Sequence, residues 1–417
     1  MRRIKTILSV LAAVLLAACN GIEKPYEGTF DQVLIYYGMG YNNLSANLKN
    51  NLEQLSTDVL PGLSYDKAIV AFTHNVAVSG NYVKPHAPVL VRMYRGSDGL
   101  PVTDTLKVYD DMALSASGES IRRVLDDVRA AFPAQHYGLI VSSHGTGWIP
   151  GGYAYDTERT FRMAASRDGR PDYRPEERSR WPETKAIGNQ YQGGSNHVTW
   201  VELKDFAQAI PMHLDYLILD TCLSGCVEVA YEFKDVCDYL VISPTEILTS
   251  GMVYTTLSWD MFAGAKPDLL TYCDEYYRYY NEADAARRAG TITLVDCAKL
   301  NALASVFGGI VDAHRDALAD KTLHSTVQRY YYSSSPFRFY YDLRDLCLQI
   351  GASEAELSKL DAALAEAVPY HAETPAFFDL LLERCCGLSV YIPEEGRPLL
   401  NEFYRTLAWN GATGLVD

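Results

Sequence analysis

The stretch Tyr216-Leu217-Ile218-Leu219-Asp220-Thr221-Cys222-Leu223-Ser224-Gly225 decides the fold. Its apolar run is too short for a helix and is typical of a strand that is buried on both faces. The run stops at an acid, a hydroxyl and a cysteine, and the apolar spacing of Val227–Val236 then predicts a helix. A strand-to-helix corner of this kind lies at the carboxyl edge of a parallel sheet, where open α/β folds place their sites.

A second corner upstream has the same pattern. His136–Ser142 is predicted to be a buried strand, and it ends in Ser143-His144-Gly145-Thr146-Gly147-Trp148. If the two strands are neighbours, the imidazole of His144 and the thiol of Cys222 face each other across the sheet edge. A free thiol with a pKa of about 8.5 is mostly un-ionised at neutral pH, so a nucleophilic cysteine needs a base such as histidine. The two corners together therefore predict an activated sulfur nucleophile.

The backbone at these corners can supply the donors that such chemistry needs. We expect the N–H groups of Gly145 and Cys222 to form an oxyanion hole for a tetrahedral intermediate. Glycine after the histidine lets the backbone approach a substrate without a Cβ. An edge histidine or a strand-end cysteine taken alone is usually structural, so the hypothesis depends on the pair.

Strands and helices alternate around the two corners, which predicts an α/β fold with a mainly parallel central sheet and helices on both faces. Residues 261–417 are predicted to form a helical extension that contributes a late strand at 387–393. The elements predicted before the cysteine strand are strand Gln32–Tyr37, helix Leu44–Leu55, strands Lys67–Thr73, Val89–Tyr94 and Thr103–Val108, helix Gly118–Ala131, the histidine strand and helix Val198–Ile210.

Residues 1–18 have the pattern of a targeting signal, with a charged start, an apolar stretch and the ending Leu16-Ala17-Ala18-Cys19. This ending resembles a bacterial lipoprotein signal, in which Cys19 is lipidated after cleavage; an ordinary secretory peptide is the alternative. Residues 19–30 would then be a tether to the membrane. We expect a lipid-anchored protein of the bacterial cell envelope, on the outer membrane and facing either the periplasm or the surface. No later segment reaches about 18 uninterrupted apolar residues, as a spanning helix requires.

The formal net charge of −15 argues against nucleic-acid binding and would favour cationic substrates, but an ordinary soluble acidic surface is the simpler explanation of the charge. Residues 150–197 break the alternation of strands and helices, with few aliphatic and many arginine residues. A structureless stretch of this length is either functional or mobile, so it is a candidate processing segment or a passive insertion.

The cysteines other than Cys19 could form disulfides outside the cytosol, but most lie in apolar periodic runs where free cysteine packs as a small hydrophobe. None has zinc-site spacing, so no structural metal site is predicted.

The two corners, with Val227-Glu228-Val229-Ala230-Tyr231-Glu232 after the cysteine, resemble the clostripain family of cysteine peptidases, in the clan of caspases, legumains and gingipains. Further matches run from Asn42-Asn43-Leu44 to Gly387-Leu388-Ser389-Val390-Tyr391, so the resemblance covers nearly all of the chain after the signal. It implies a caspase-like three-layer sandwich with its catalytic core at 31–260. It also implies endopeptidase activity through a His144–Cys222 dyad with no obligatory third member.

The resemblance further implies a preference for Arg or Lys on the acyl side of the cut bond. The resemblance assigns the selection of this basic side chain to Asp220. Residues two apart on a strand point to the same face, so the side chain of Asp220 lies on the same face as that of Cys222. Alternatively, Asp220 only stabilises the corner. Asn42 and Asn43 are assigned to substrate binding. Cleavage within 150–197 is the expected route of maturation, and a monomer is expected. No cofactor is expected; calcium, to which some family members respond, is kept as the alternative although the sequence has no Asp/Asn-rich ligand loop.

Cys226 departs from the family pattern, where a small hydroxyl residue is more familiar. It lies one helical turn from Cys222 and could form a disulfide with the nucleophile, or it is a packed free thiol. The alternative function is a catalytically silent caspase-like surface lipoprotein that acts as a binding scaffold. The intact His144, Gly145 and Cys222 count against that alternative.

Overall fold

The computed structural model describes residues 23–79, 82–151, 153, 187–192, 195–285, 287–333, 335 and 337–417. The signal at 1–18, Cys19 and most of the segment 150–197 lie outside the described residues. The described strands are β1 (Phe30–Gly40), β2 (Lys67–Ser79), β3 (Tyr82–Pro85), β4 (Val89–Arg95), β5 (Pro101–Val108), β6 (Ala134–Ser142), β7 (Ile187–Gln192), β8 (Ser195–Val201), β9 (Leu214–Asp220), β10 (Cys237–Ile242), β11 (Thr291–Asp296), β12 (Tyr341–Asp342), β13 (Tyr370–Glu373), β14 (Ala376–Phe377), β15 (Leu380–Leu381) and β16 (Ser389–Val390).

The described α-helices pack around these strands. They are α1 (Ser45–Thr57), α2 (Gly118–Ala131), α3 (Leu203–Ala209), α4 (Val227–Phe233), α5 (Leu257–Phe262), α6 (Leu269–Asn281), α7 (Leu300–Ala313), α8 (Leu323–Thr326), α9 (Leu343–Gln349), α10 (Glu354–Ala367), α11 (Pro398–Tyr404) and α12 (Ala408–Thr413). Among the described residues, no helix is both long enough and apolar enough to cross a membrane.

A single large sheet organises the molecule, with the strand order β13-β11-β10-β9-β6-β1-β2-β4-β5 and with β3 paired to β2. Its five central strands, from β10 to β2, are parallel. Antiparallel strands extend the sheet on both sides. Parallel neighbours need a crossover between them, which is why helices separate the central strands along the chain.

The central strands are apolar on both faces because helices cover both. In β1, Val33 and Ile35 pack into one core with α2, α3, α4 and α7, whereas Leu34 and Tyr36 pack into the other with α5 and α6. A strand between two cores reads as a continuous apolar run rather than an alternating one. The predicted caspase-like α/β sandwich, with helices on both faces of the sheet, is confirmed.

Two predicted elements differ from the structure. The helix expected over Val198–Ile210 begins only at Leu203, because β8 continues to Val201 and its β-branched residues favour an extended chain. The late strand expected at 387–393 is the short β16, which pairs with β12 outside the main sheet. Residues 261–417 instead add β11 and β13 to that sheet.

Candidate active site

The pairing of β6 with β9 brings the two corners together. The two strands are parallel neighbours, and Ser142 lies opposite Asp220 at their carboxyl ends. His144 and Cys222 each follow two residues later, so they leave the sheet at the same level. Both line one cavity of about 200 Å³, together with Gly145 and Asp220. The structure therefore brings the imidazole and thiol predicted from sequence into a shared cleft.

Gly145 lies directly against the backbone of the cysteine corner. A Cβ built on this glycine would lie 2.8 Å from the carbonyl oxygen and 3.1 Å from the amide nitrogen of Cys222. No side chain can move aside to relieve contacts with backbone atoms, so the close approach of the two corners requires glycine.

The turn after the nucleophile has an uncommon backbone conformation. Leu223 adopts a φ of 59°, in the left-handed region that leucine rarely occupies, and is fully buried. Its N–H donates to the carbonyl of Thr245 at 3.0 Å, and the N–H of Gly225 donates to that of Ser243 at 2.7 Å. The segment after β10 thus holds the turn in this conformation. Strain of this kind persists only where the surroundings fix the backbone, and it is frequent at active sites.

His144 contacts a side chain from a third strand. Its Nε2 lies 2.6 Å from Oδ1 of Asn43, which follows β1. An amide oxygen can only accept a hydrogen bond, so in this contact Nε2 carries a hydrogen and donates it to Asn43. The contact arises because β1 is the parallel neighbour of β6, with Gly38 opposite Ser142.

The two asparagines assigned to substrate binding lie outside the lining of the cavity. Asn43 is hydrogen-bonded to His144, as described above. Asn42 is buried in its own loop, where its Nδ2 donates to the carbonyl of Met39 and its Oδ1 accepts from the N–H of Leu44, both at 2.8 Å. Asn42 therefore shapes the loop that presents Asn43.

The sulfur of Cys222 is half-buried under the segment that follows β10. The backbone N–H of Ile247 points at Sγ, with a nitrogen–sulfur distance of 3.4 Å. The thiol can in turn donate to the carbonyl oxygen of Ile247, which lies 3.7 Å from Sγ. Ile247 and Leu248 also form part of the cavity wall.

Asp220 is a buried carboxylate at the cavity. Its Oδ2 accepts hydrogen bonds from Ser142 Oγ at 2.8 Å and from the Tyr254 hydroxyl at 2.7 Å. Burial raises the pKa of this carboxyl group above its ordinary value, and these hydrogen bonds oppose that effect. Among the described residues, no lysine or arginine forms an ion pair with it.

The rest of the cavity lining combines apolar, neutral polar and acidic residues. Glu246 is the second carboxylate in the lining, and no described lysine or arginine belongs to it. Leu44, Leu48 and Phe337 add apolar surface. The arrangement can therefore hold a long side chain with an apolar stem and a cationic end.

Cys226 points away from the cavity into the core. It is fully buried, and both Cys226 and Cys222 are free thiols. A β-bridge joins Cys226 to Ser389, so the corner is anchored to the C-terminal part of the chain. In this structure Cys226 corresponds to the packed thiol and not to the disulfide partner.

Glu228, in the helix after the nucleophile, is a buried acid that sequence reasoning missed. Its Oε1 accepts from the N–H of Tyr391 at 2.9 Å and from the Tyr404 hydroxyl at 2.6 Å. Burial raises the pKa of its carboxyl group from 4.5 to about 7. The signal available was an acid inside the apolar pattern of Val227–Ala230.

We expect Glu228→Gln to remove part of the pH dependence of stability. Because the folded-state pKa is raised, this group favours the folded state fully below about pH 4.5, and that contribution is lost as the pH rises through about 7. The loss amounts to roughly 3 kcal/mol, and Gln can keep both accepted hydrogen bonds without ionising. Urea unfolding at pH 5 and pH 8 should show the variant gaining stability relative to wild type at pH 8. Glu232→Gln, on the same helix but half-exposed, is the control. An unchanged pH dependence in Glu228→Gln would contradict the assignment.

Known proteins match the chain in sequence profile and in fold. A profile of the clostripain family matches residues 172–371, a range that contains Asp220 and Cys222. An inactive zymogen C11 protease from Parabacteroides distasonis is 26% identical, with a TM-score of 0.71 over 93% of this chain and 99% of that chain. None of the curated proteins searched matches the chain significantly.

Two further solved structures share the fold. The secreted C11 cysteine protease iotapain from Bacteroides thetaiotaomicron is 23% identical, with a TM-score of 0.71 over 93% of this chain and 99% of that one. A secreted C11 cysteine protease from the same organism, in complex with an irreversible peptide inhibitor, is 21% identical, with a TM-score of 0.70 over 92% and 98% of the two chains. The chain is therefore similar to the clostripain family of cysteine peptidases over residues 172–371, and it shares the fold of a C11 protease over most of its length.

Proposed function

We propose that this cysteine protease is an endopeptidase that cuts after Arg or Lys, with Cys222 as nucleophile and His144 as general base. The observation that carries the proposal is the buried carboxylate of Asp220, which lines the same cavity as His144 and Cys222 and has no cationic partner among the described residues. A buried charge without a counter-ion is costly, and a cationic substrate side chain would supply one.

The contacts of His144 support a definite proton path. With Nε2–H donated to Asn43, Nδ1 is the ring nitrogen that we propose takes the proton of the Cys222 thiol. The thiolate then attacks the scissile carbonyl carbon, and the N–H groups of Gly145 and Cys222 stabilise the oxyanion. His144 returns the proton to the leaving amine, and it next deprotonates the water that hydrolyses the thioester.

We expect Asn43→Ala to lower kcat about 10-fold with little change in KM. The variant loses the acceptor that holds the ring and selects its tautomer, which corresponds to about 1.4 kcal/mol in the barrier. Steady-state kinetics on an Arg substrate measure the effect. Asn50→Ala, at an exposed position on α1 outside the cavity, is the control and should behave as wild type. An Asn43→Ala enzyme with raised KM and normal kcat would mean that Asn43 binds substrate instead.

The test of the proposed function is a panel of fluorogenic peptides with Arg, Lys, Asn or Asp before the cut bond. Wild-type protein should turn over the Arg and Lys members, and Cys222→Ala should turn over none. Turnover of Asn or Asp peptides alone would overturn the specificity. Absence of thiol-dependent turnover on every peptide would favour the silent scaffold. We propose that no cofactor is required, so EDTA should leave the rates unchanged.

Maturation and location complete the proposal. The arginine-rich segment 150–197 is the proposed site of self-cleavage, because its residues match the proposed specificity. N-terminal sequencing of fragments from wild type and Cys222→Ala tests this. We also propose export and lipid anchoring through Cys19, so Cys19→Ala should release the protein from the membrane fraction.

A further inference from the structure

Five large apolar side chains are exposed at the end of the sheet opposite the catalytic cavity. We call them the amino-edge patch, and each is between 51% and 61% exposed: Val59, Tyr65, Leu100, Trp259 and Leu270. Single exposed apolar residues are ordinary, but a group of them on one side of a molecule indicates a surface that contacts an apolar partner. Tryptophan and tyrosine are also enriched where proteins meet a membrane–water interface.

Hydrogen bonds join the loops that carry three of these side chains. The carboxylate of Asp58, which precedes Val59, accepts from the N–H of Trp259 at 3.3 Å. The carbonyl oxygen of Asp58 accepts from the guanidinium of Arg95 at 2.6 Å. Arg95 is the last residue of β4, and Leu100 lies in the turn that follows it. Val59, Leu100 and Trp259 therefore lie on one side of the molecule.

The other two patch residues lie at the same end of the sheet. Tyr65 is two residues before Lys67, the first residue of β2. The Lys67 ammonium donates to the carbonyl of Phe262, at the end of α5, at 2.7 Å. Leu270 lines a cavity together with Gln32, near the start of β1. The patch thus follows the amino edge of the parallel strands.

The first described residues lie at this same edge. The carboxylate of Glu23 accepts from the hydroxyl of Ser64 at 2.8 Å and from its N–H at 3.2 Å, next to Tyr65. Glu23 is four residues after Cys19, and four residues span at most about 14 Å. A lipid on Cys19 would therefore hold the patch close to the bilayer.

We propose that the amino-edge patch rests on the bilayer that anchors Cys19, with Tyr65 and Trp259 at the level of the lipid headgroups. This inference rests on the proposed lipid anchor. The catalytic cavity lies at the carboxyl edge, and the 11-residue β1 separates the two edges by about 35 Å. The cavity therefore points away from the membrane, toward soluble protein substrates. Because the chain carries a net charge of −15, the contact depends on apolar burial and not on anionic lipids.

The test is hydroxyl-radical footprinting, read by mass spectrometry. It compares the lipidated protein in vesicles of phosphatidylcholine and phosphatidylethanolamine with unlipidated Cys19→Ala protein in the absence of vesicles. We expect labelling of Tyr65 and Trp259 to fall about 5-fold or more in the vesicles, because the headgroup region covers them.

Phe378 is the matched control within the same protein. It is 52% exposed, and its ring packs on that of Tyr332, with 5.2 Å between the ring centroids. The Tyr332 hydroxyl contacts the carboxylate of Glu246, which lines the catalytic cavity. Phe378 is therefore on the cavity side, and its labelling should be the same with and without the bilayer.

Two surface variants separate the patch from the anchor. Trp259→Asp should restore labelling of Tyr65 in lipidated protein, because a charge opposes insertion into the headgroup region. Leu381→Asp changes an equally prominent leucine, 61% exposed, on the short β15. It should leave Tyr65 protected.

Three outcomes would overturn the inference. The first is unchanged labelling of Tyr65 and Trp259 in vesicles, and the second is protection of Phe378 in their place. The third is concentration-dependent protection of the patch in Cys19→Ala protein, which would assign the patch to contact with a second copy of the chain. Absence of lipid on Cys19 in the intact mass would overturn the proposed anchor as well.

Discussion

Replacing Asp220 with Asn is expected to lower kcat/KM for Arg and Lys substrates about 100- to 1,000-fold. The change removes the buried negative charge that we pair with the substrate cation, a loss of about 3 to 4 kcal/mol. The amide oxygen of the variant can still accept from Ser142 and Tyr254, so the corner keeps those contacts. Since burial raises the pKa of the wild-type carboxyl group, removing its charge should not lower the free energy of unfolding.

The pH profile of the same pair of enzymes gives a second readout. The Asp220 carboxyl group can form an ion pair with a substrate cation only when it is ionised. The kcat/KM for an Arg substrate should therefore fall as the pH drops through the raised pKa of Asp220. The residual activity of Asp220→Asn should lack this acidic limb.

Asp215→Asn is the matched control for Asp220→Asn. It removes the same formal charge from the same strand, at the end remote from the cavity. If Asp220 only braces the corner, Asp220→Asn will instead lower stability and depress turnover of all substrates equally. That result would contradict the selector role.

Replacing Gly145 with Ala is expected to lower kcat about 100-fold or more. The new Cβ would lie 2.7 Å from Cβ of Thr221 and 2.8 Å from the carbonyl oxygen of Cys222, so the two corners must separate. Displacing an oxyanion donor typically costs a factor of about 100 to 1,000 in kcat. The specificity cavity on the Asp220 side is not filled, so KM should change much less.

Gly309→Ala is the control for Gly145→Ala, because a Cβ at Gly309 meets nothing within 4 Å apart from its chain neighbours and the nearby backbone of its own helix. It should leave the kinetics unchanged. Gly145→Ala activity within about threefold of wild type would show that the close approach of the corners is not needed for turnover.

The parts of the site that could be predicted from the sequence are those determined by residues close together along the chain. The corners at His144 and Cys222 each combine an apolar strand with small polar residues, and this pattern is visible within ten residues. The sequence predicts that the two corners are adjacent only if β6 and β9 are neighbouring strands. The structure shows that they are, with Ser142 of β6 paired with Asp220 of β9.

The parts that sequence reasoning missed depend on packing between distant segments. The N–H of Ile247 reaches Cys222 Sγ, and Tyr254 reaches Asp220 from a separation of 34 residues, through a segment with no motif of its own. Asn43 reaches His144 across 101 residues because β1 and β6 are neighbours.

The most direct test of the central claim is covalent labelling with a biotinylated peptide chloromethyl ketone that carries Arg next to the warhead. We expect the adduct to map by mass spectrometry to Cys222, to require His144 and Asp220, and not to form with the analogous Asp probe. The probe should be applied in parallel to the uncleaved protein and to any self-cleaved form of it. Labelling of another cysteine, equal labelling by the Asp probe, or no labelling of either form would contradict the account.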